Sequence, residues 1–231
     1  RMLVAADAVA GTIGGGHLEL QAIERARRRL TDGATAADDW AVALGPSLGQ
    51  CCGGALVLRT QPLSAASLAA WPEPQWRFFL QLYGAGHVGR AIVRLLADID
   101  CRVQWIDERE AEFAPGPLPA HVERVCVEPV EAEVRAAPAG AHYLVLTHSH
   151  DLDLRITEAI LRRGDFAFCG LIGSQTKRAR FVHRFEQRGV PPEAIARLTC
   201  PIGVSGIAGK EPGVIAVAVV AQLLQRSGPA D

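Results

Sequence analysis

The run Phe78–Tyr83, passing directly into Gly84-Ala85-Gly86-His87-Val88-Gly89, limits the folds open to this chain more than any other feature. An apolar segment of strand length meets GxGxxG, and a helical stripe follows in Val88, Ala91, Ile92, Leu95, Leu96 and Ile99. Strand, glycine turn and helix in that order open a doubly wound parallel α/β sheet of the dinucleotide-binding type. Gly84 permits the tight turn, Gly86 lets backbone approach a phosphate, and Gly89 lets helix and strand pack. The helix start, with His87 in its first turn, offers unpaired N–H groups to an anion. Asp107 closes the second strand, where a ribose-binding acid belongs.

Further apolar runs at Arg102–Asp107, Val122–Cys126, His142–Thr147 and Phe166–Ile172 alternate with helical periods, which argues for helices on both faces of one sheet. The expected architecture is α/β: a C-terminal Rossmann-like domain over 77–231 and a smaller N-terminal α+β domain over 1–62. Pro62, Pro72 and Pro74 among small residues mark 63–76 as a linker. The N-terminal piece should hold a short strand at Met2, a glycine turn, a helix from Leu18 to Leu30 and a strand near Leu56. Arg1 rather than Met opens the chain and Met2 already reads as strand, so residues before it are expected to be missing.

In the doubly wound order the first and fourth strands are neighbours, and ligands bind beyond their carboxyl ends. The fourth strand ends in Thr147-His148-Ser149-His150-Asp151-Leu152-Asp153. His148, His150, Asp151 and Asp153 therefore face the glycine loop across the crevice, with His148, His150 and Asp151 the candidates for ligand or metal contact, unless Asp151 or Asp153 only caps the next helix and the histidines are solvated. The fifth strand ends in Gly170-Leu171-Ile172-Gly173-Ser174-Gln175-Thr176-Lys177-Arg178. There Ser174 can cap, and Gly173, Lys177 and Arg178 suit a second phosphate site. Ser174 and Lys177 also fit SxxK, without the partner motifs of an acyl-transfer enzyme. Lys177 and Lys210 are the chain's two lysines, and Gly209-Lys210 stands in a third glycine-rich loop, a further candidate anion site or else a structural cover of the sheet, before the apolar run Val214–Ala221, read as a buried helix. Cys51 and Cys52, flanked by glycines, are candidate ligands for a soft metal or a sulfur-bearing cofactor, against the alternative of small residues buried in a turn.

Composition removes other classes. A formal net charge of -1 gives no global field for nucleic acid or anionic membrane. No apolar stretch approaches the roughly 20 residues of a membrane span. Six cysteines without a CxxC pair suit a reducing compartment, so the expected location is cytoplasmic.

Taken in order, GTIGGGHLE, LGPSLGQCCGG, YGAGHVG, LTHSHDLD, GLIGSQTKR and CPIGVSGIAGKEPGVIAVAV resemble the xanthine dehydrogenase accessory family, the XdhC/CoxI group, over nearly the whole chain. The resemblance implies a non-enzymatic chaperone that binds molybdopterin-type molybdenum cofactor. It also implies sulfuration of that cofactor by a cysteine desulfurase, insertion into a xanthine dehydrogenase-type apoenzyme, and a homodimer. The rival from the residues is an NAD(P)-dependent oxidoreductase using the GAGHVG loop. A metallohydrolase fares worse, because HxHxDH would need aspartate at Leu152 and histidine at Asp153. A third reading is a scaffold that binds nothing.

Overall fold

Six parallel strands, in the order β10-β9-β8-β5-β6-β7, form the sheet of the C-terminal unit. They are β5 (Phe79–Tyr83), β6 (Arg102–Asp107), β7 (Val122–Cys126), β8 (His142–Val145), β9 (Phe168–Leu171) and β10 (Leu198–Thr199). The computed structural model describes residues 1–44, 54–71 and 75–228, and it divides into two units, Arg1–Glu73 and Pro74–Asp231. The order reverses between β5 and β8, which are hydrogen-bonded neighbours from Leu80 opposite His142 to Tyr83 opposite Val145. This is the doubly wound Rossmann topology that the strand-and-helix alternation predicts.

Both faces of the sheet are covered, so its strands are apolar on both sides. Leu80, Leu82, Val103, Trp105 and Leu144 face α3 (His87–Leu95) and α7 (Pro212–Ser227) in one buried cluster. Tyr83, Ile106, Tyr143 and Val145 face α4 (His150–Arg163) and α5 (Gln175–Gln187) in the other. α6 (Pro192–Ala196) adds Ala194 and Ile195 to that second cluster. Each large apolar side chain so buried contributes about 1.5–3 kcal/mol, and two such layers hold the sheet. Trp105 also spends its polar edge, donating Nε1–H to the Gly84 carbonyl at 3.0 Å while meeting Phe113 edge to face.

α7 is the largely buried helix its sequence predicts: Ala216, Ala218, Val219, Val220 and Leu223 are buried, the Ala218 carbonyl accepting from Val204 N at 3.1 Å, whereas Val217 is 48% exposed.

Among its described residues the N-terminal unit holds two antiparallel pairs and two helices. β1 (Met2–Val4) pairs with β2 (Val9–Gly11), and β3 (Asp38–Leu44) with β4 (Gly54–Thr60). α1 (Gly16–Thr31) contributes Leu18 to a small core with Trp40, Val42, Leu56 and Leu58. Within the glycine-rich turn, Glu19 Oε2 accepts hydrogen bonds from Thr12 Oγ1, Ile13 N and Gly15 N, so an internal carboxylate fills that backbone cradle. The stretch read as linker contains α2 (Ala65–Ala69), started by a reciprocal cap in which Ser64 and Ser67 each accept from the other's backbone N–H.

Candidate functional site

The loops leaving β5, β8 and β9 meet at the carboxyl edge of the sheet, and each is held by contacts its sequence makes possible. Gly84 has φ +119°, open only to glycine at ordinary cost, and a Cβ there would overlap the Leu146 carbonyl oxygen. The first and fourth loops can therefore touch backbone to backbone. Ladder pairing runs past the strand ends, with Leu146 N donating to Tyr83 O and Ile172 N to Val145 O, both at 2.9 Å.

A cavity of about 430 Å³ opens beyond β8 and β9, lined by Thr147, His148, His150, Asp153, Ile172, Gly173, Ser174, Thr176, Lys177 and Arg180. Its floor is an ion pair. Lys177 Nζ donates to Asp153 Oδ2 at 2.6 Å and to the Ile172 carbonyl at 2.9 Å, with side chains 8% and 1% exposed. Asp153 Oδ1 accepts from Thr147 N at 2.9 Å and Thr147 Oγ1 at 2.7 Å, so one carboxylate joins the β8 loop, α4 and α5. Gly173 makes room for this, since a Cβ there would meet Lys177 Cδ at 2.6 Å.

Five of the residues singled out in the sequence line this cavity: His148, His150, Gly173, Ser174 and Lys177. Ser174 caps α5 as expected, accepting from Lys177 N at 3.2 Å. At the start of α4 the cap is Ser149, which accepts from Leu152 N, rather than an aspartate. Lys177 differs from expectation in its charge. Asp153 neutralises it, so the open cation of the cavity is the exposed Arg180. SxxK chemistry finds no support either, because the hydrogen bonds of Lys177 Nζ go to Asp153 and Ile172.

Other candidates lie elsewhere. The Asp151 side chain is 84% exposed, 3.7 Å from Arg184. Arg178 stands in the first turn of α5 but does not line the cavity. Gly209 and Lys210 are exposed in the stretch before α7, also outside it. Cys51 and Cys52 fall outside the described residues. Among the described residues no three His, Cys, Asp or Glu side chains gather as a metal-ion set, and no helix is long and apolar enough to cross a membrane.

Sequence reading missed Thr147, Ile172, Thr176, Arg180 and the central part of Asp153. Thr176, Lys177 and Arg180 follow one another at steps of one and three, which puts them on one face of α5, just after Gly173 in the loop. That spacing was the available signal.

At the glycine loop, α3 starts at Gly86 without a side-chain cap, and His87 is exposed in its first turn. Gly84 N donates to Ile106 O at 2.8 Å, and Ala85 N to Asp107 Oδ2 at 2.7 Å. A Cβ at Gly89 would overlap the Gly84 carbonyl oxygen, whereas at Gly86 it would meet nothing within 4 Å. Asp107 is 5% exposed and carries Arg109 on its other side. Burial pushes its carboxyl up, but hydrogen bonds from the Arg109 side chain and from the Ala85 and Arg109 amides outweigh that and hold it below the usual carboxylate range.

Comparison with known proteins places this architecture. Residues 80–223 match the family described as XdhC Rossmann domain, and residues 1–39 that described as XdhC and CoxI family. The chain is 30% identical over 233 residues to the uncharacterized protein YqeB of Escherichia coli (strain K12), across 97% of its own length and 40% of the relative's. It thus spans well under half of that relative. A crystal structure described as a xanthine dehydrogenase from Bacillus halodurans superposes with a TM-score of 0.71 at 18% identity, over 97% of this chain and 85% of that one. At that identity the likeness concerns the fold.

Proposed function

Because this chain belongs to the XdhC and CoxI family, we propose that it is an accessory factor for a xanthine dehydrogenase-type molybdoenzyme, carrying molybdopterin-type cofactor as cargo rather than catalysing a reaction. In this reading it holds the cofactor while a cysteine desulfurase supplies sulfur, hands it to the apoenzyme, and works in the cytoplasm, as a homodimer.

The observation that carries the reading is the cavity where the β8 and β9 loops join through Asp153 and Lys177. Its volume of about 430 Å³ falls within the roughly 300–1,000 Å³ of small-molecule sites. Its lining suits a phosphate-bearing pterin. Arg180 offers a cation, Ser174 and Thr176 offer hydroxyls, and His148 and His150 offer imidazoles that can donate or accept. Cys51 and Cys52, which lie outside the described residues, stay in the proposal as candidate ligands for a soft metal or a sulfur-bearing cofactor. A carrier must also release, and micromolar affinity, about -8 kcal/mol, leaves a client room to bind more tightly.

The test is titration of the purified protein with isolated molybdenum cofactor, read by pterin fluorescence and molybdenum analysis. Wild type should bind stoichiometrically, and Arg180→Ala and His148→Ala should each weaken binding by about tenfold, or about 1.4 kcal/mol, with unchanged melting. Absence of cofactor binding by wild type would end the carrier reading. Binding indifferent to both substitutions would move the site away from this cavity.

A further inference from the structure

The glycine loop and Asp107 together carry the appearance of a dinucleotide site, and the geometry around Asp107 changes what that site can read. In such sheets the acid ending the second strand accepts hydrogen bonds from the adenosine ribose. A carboxylate has about four acceptor positions, and in this chain the protein fills them. Oδ2 accepts from Ala85 N at 2.7 Å and Arg109 Nη2 at 3.0 Å, while Oδ1 accepts from Arg109 N and Arg109 Nε, each at 3.0 Å. The guanidinium is tethered on its far side as well, Nη1 standing 3.5 Å from Glu112 Oε1, and Glu112 is itself paired with Arg90 at 2.9 Å.

We infer that Arg109 is a specificity-determining residue: by saturating Asp107 it closes the ribose subsite of the Rossmann crevice to nicotinamide and other adenosine dinucleotides. Asp107 then serves the loop rather than a ligand, fixing the Ala85 N–H. A ribose diol could reach the carboxylate only by breaking a bidentate, charge-assisted pair whose acid side chain is 4% exposed. Turning Arg109 outward to a 2′-phosphate would leave that same buried carboxylate facing the added negative charge, so the phosphorylated dinucleotide is rejected too. Ligands without a vicinal ribose diol lose nothing by this arrangement. The inference goes beyond the carrier reading and fails separately from it, since it is read with dinucleotides alone.

The experiment titrates NADH, NADPH and ADP-ribose into wild type, Arg109→Ala, Arg109→Lys and Asp107→Asn/Arg109→Ala, by calorimetry and nucleotide fluorescence, with thermal melts as the folding control. Wild type should show no saturable binding below about 1 mM, a threshold near -4 kcal/mol. Arg109→Ala should bind NADH and ADP-ribose at least about tenfold more tightly, and Asp107→Asn in that background should cancel the gain. Arg109→Lys, which keeps the charge but loses the fork, should gain less and decides the matter if the alanine variant does not fold. Micromolar binding of NADH or NADPH by wild type would overturn the inference. So would folded Arg109 variants with wild-type affinity.

Discussion

Lys177 Nζ and Asp153 Oδ2 stand 2.6 Å apart, buried, 24 residues apart in sequence and on different helices. The ammonium holds the β9 loop through Ile172, and the carboxylate holds the β8 loop through Thr147. Lys177→Met should leave Asp153 an unpaired buried charge and cost about 3–5 kcal/mol. Asp153→Asn/Lys177→Met should lose distinctly less than the two single changes summed. Urea unfolding of the four proteins measures the coupling, and strict additivity would mean the pair does not act as one.

Two glycines of a single motif should behave oppositely. Gly89→Ala drives a methyl into the Gly84 carbonyl and should cost about 3 kcal/mol. Gly86→Ala meets open space at an ordinary φ of -69° and should stay within about 1 kcal/mol of wild type. Thermal melts separate the two.

How far the sequence speaks follows from such positions. β5, α3 and the switch point are legible because apolar periodicity and glycine spacing are local signals. β10, two residues long, and β2, three, are too short to show a period. β3, which opens on Asp38 and Asp39, becomes a strand through pairing with β4. At the site, His148 and Ser174 could be named from their loops, but no local pattern tells that Asp153 neutralises Lys177 or that Arg109 saturates Asp107. Those facts depend on which loops the sheet order brings together.

Stability should fall on acidification through a residue remote from the cavity. His142 is 4% exposed between Phe78 and Phe168, neither ring nitrogen has a hydrogen-bond partner among the described residues, and burial pushes its imidazole down to about 4. The unfolded chain takes up this proton near 6.5 and the folded chain near 4, so stability is lost as pH falls across that window, by about 3 kcal/mol. His142→Leu should remove this component, and urea unfolding between about pH 7 and pH 4 would show it. Asp107, held below the carboxylate range, gives up its contribution only at lower pH.

Thiol reactivity should sort by burial. Cys101, Cys169 and Cys200 are buried and Cys126 is exposed. Burial pushes Cys101 and Cys169 up to about 12. In a Cys51→Ser/Cys52→Ser background, a disulfide reagent should label Cys126 in the native protein and the other three on unfolding. Cys126→Ser should abolish the native reaction, and rapid native labelling that survives it would contradict the burial.

The bonds running from Thr147 through Asp153 and Lys177 to Ile172 also bear on binding kinetics. Groups already locked against each other surrender little rotational freedom when a guest arrives. If the cavity holds the proposed cargo, capture needs no slow ordering step, and residence time rests on the few direct contacts at the rim. Under the same proposal, a client that strips those contacts one at a time would meet a succession of small barriers instead of a single large one.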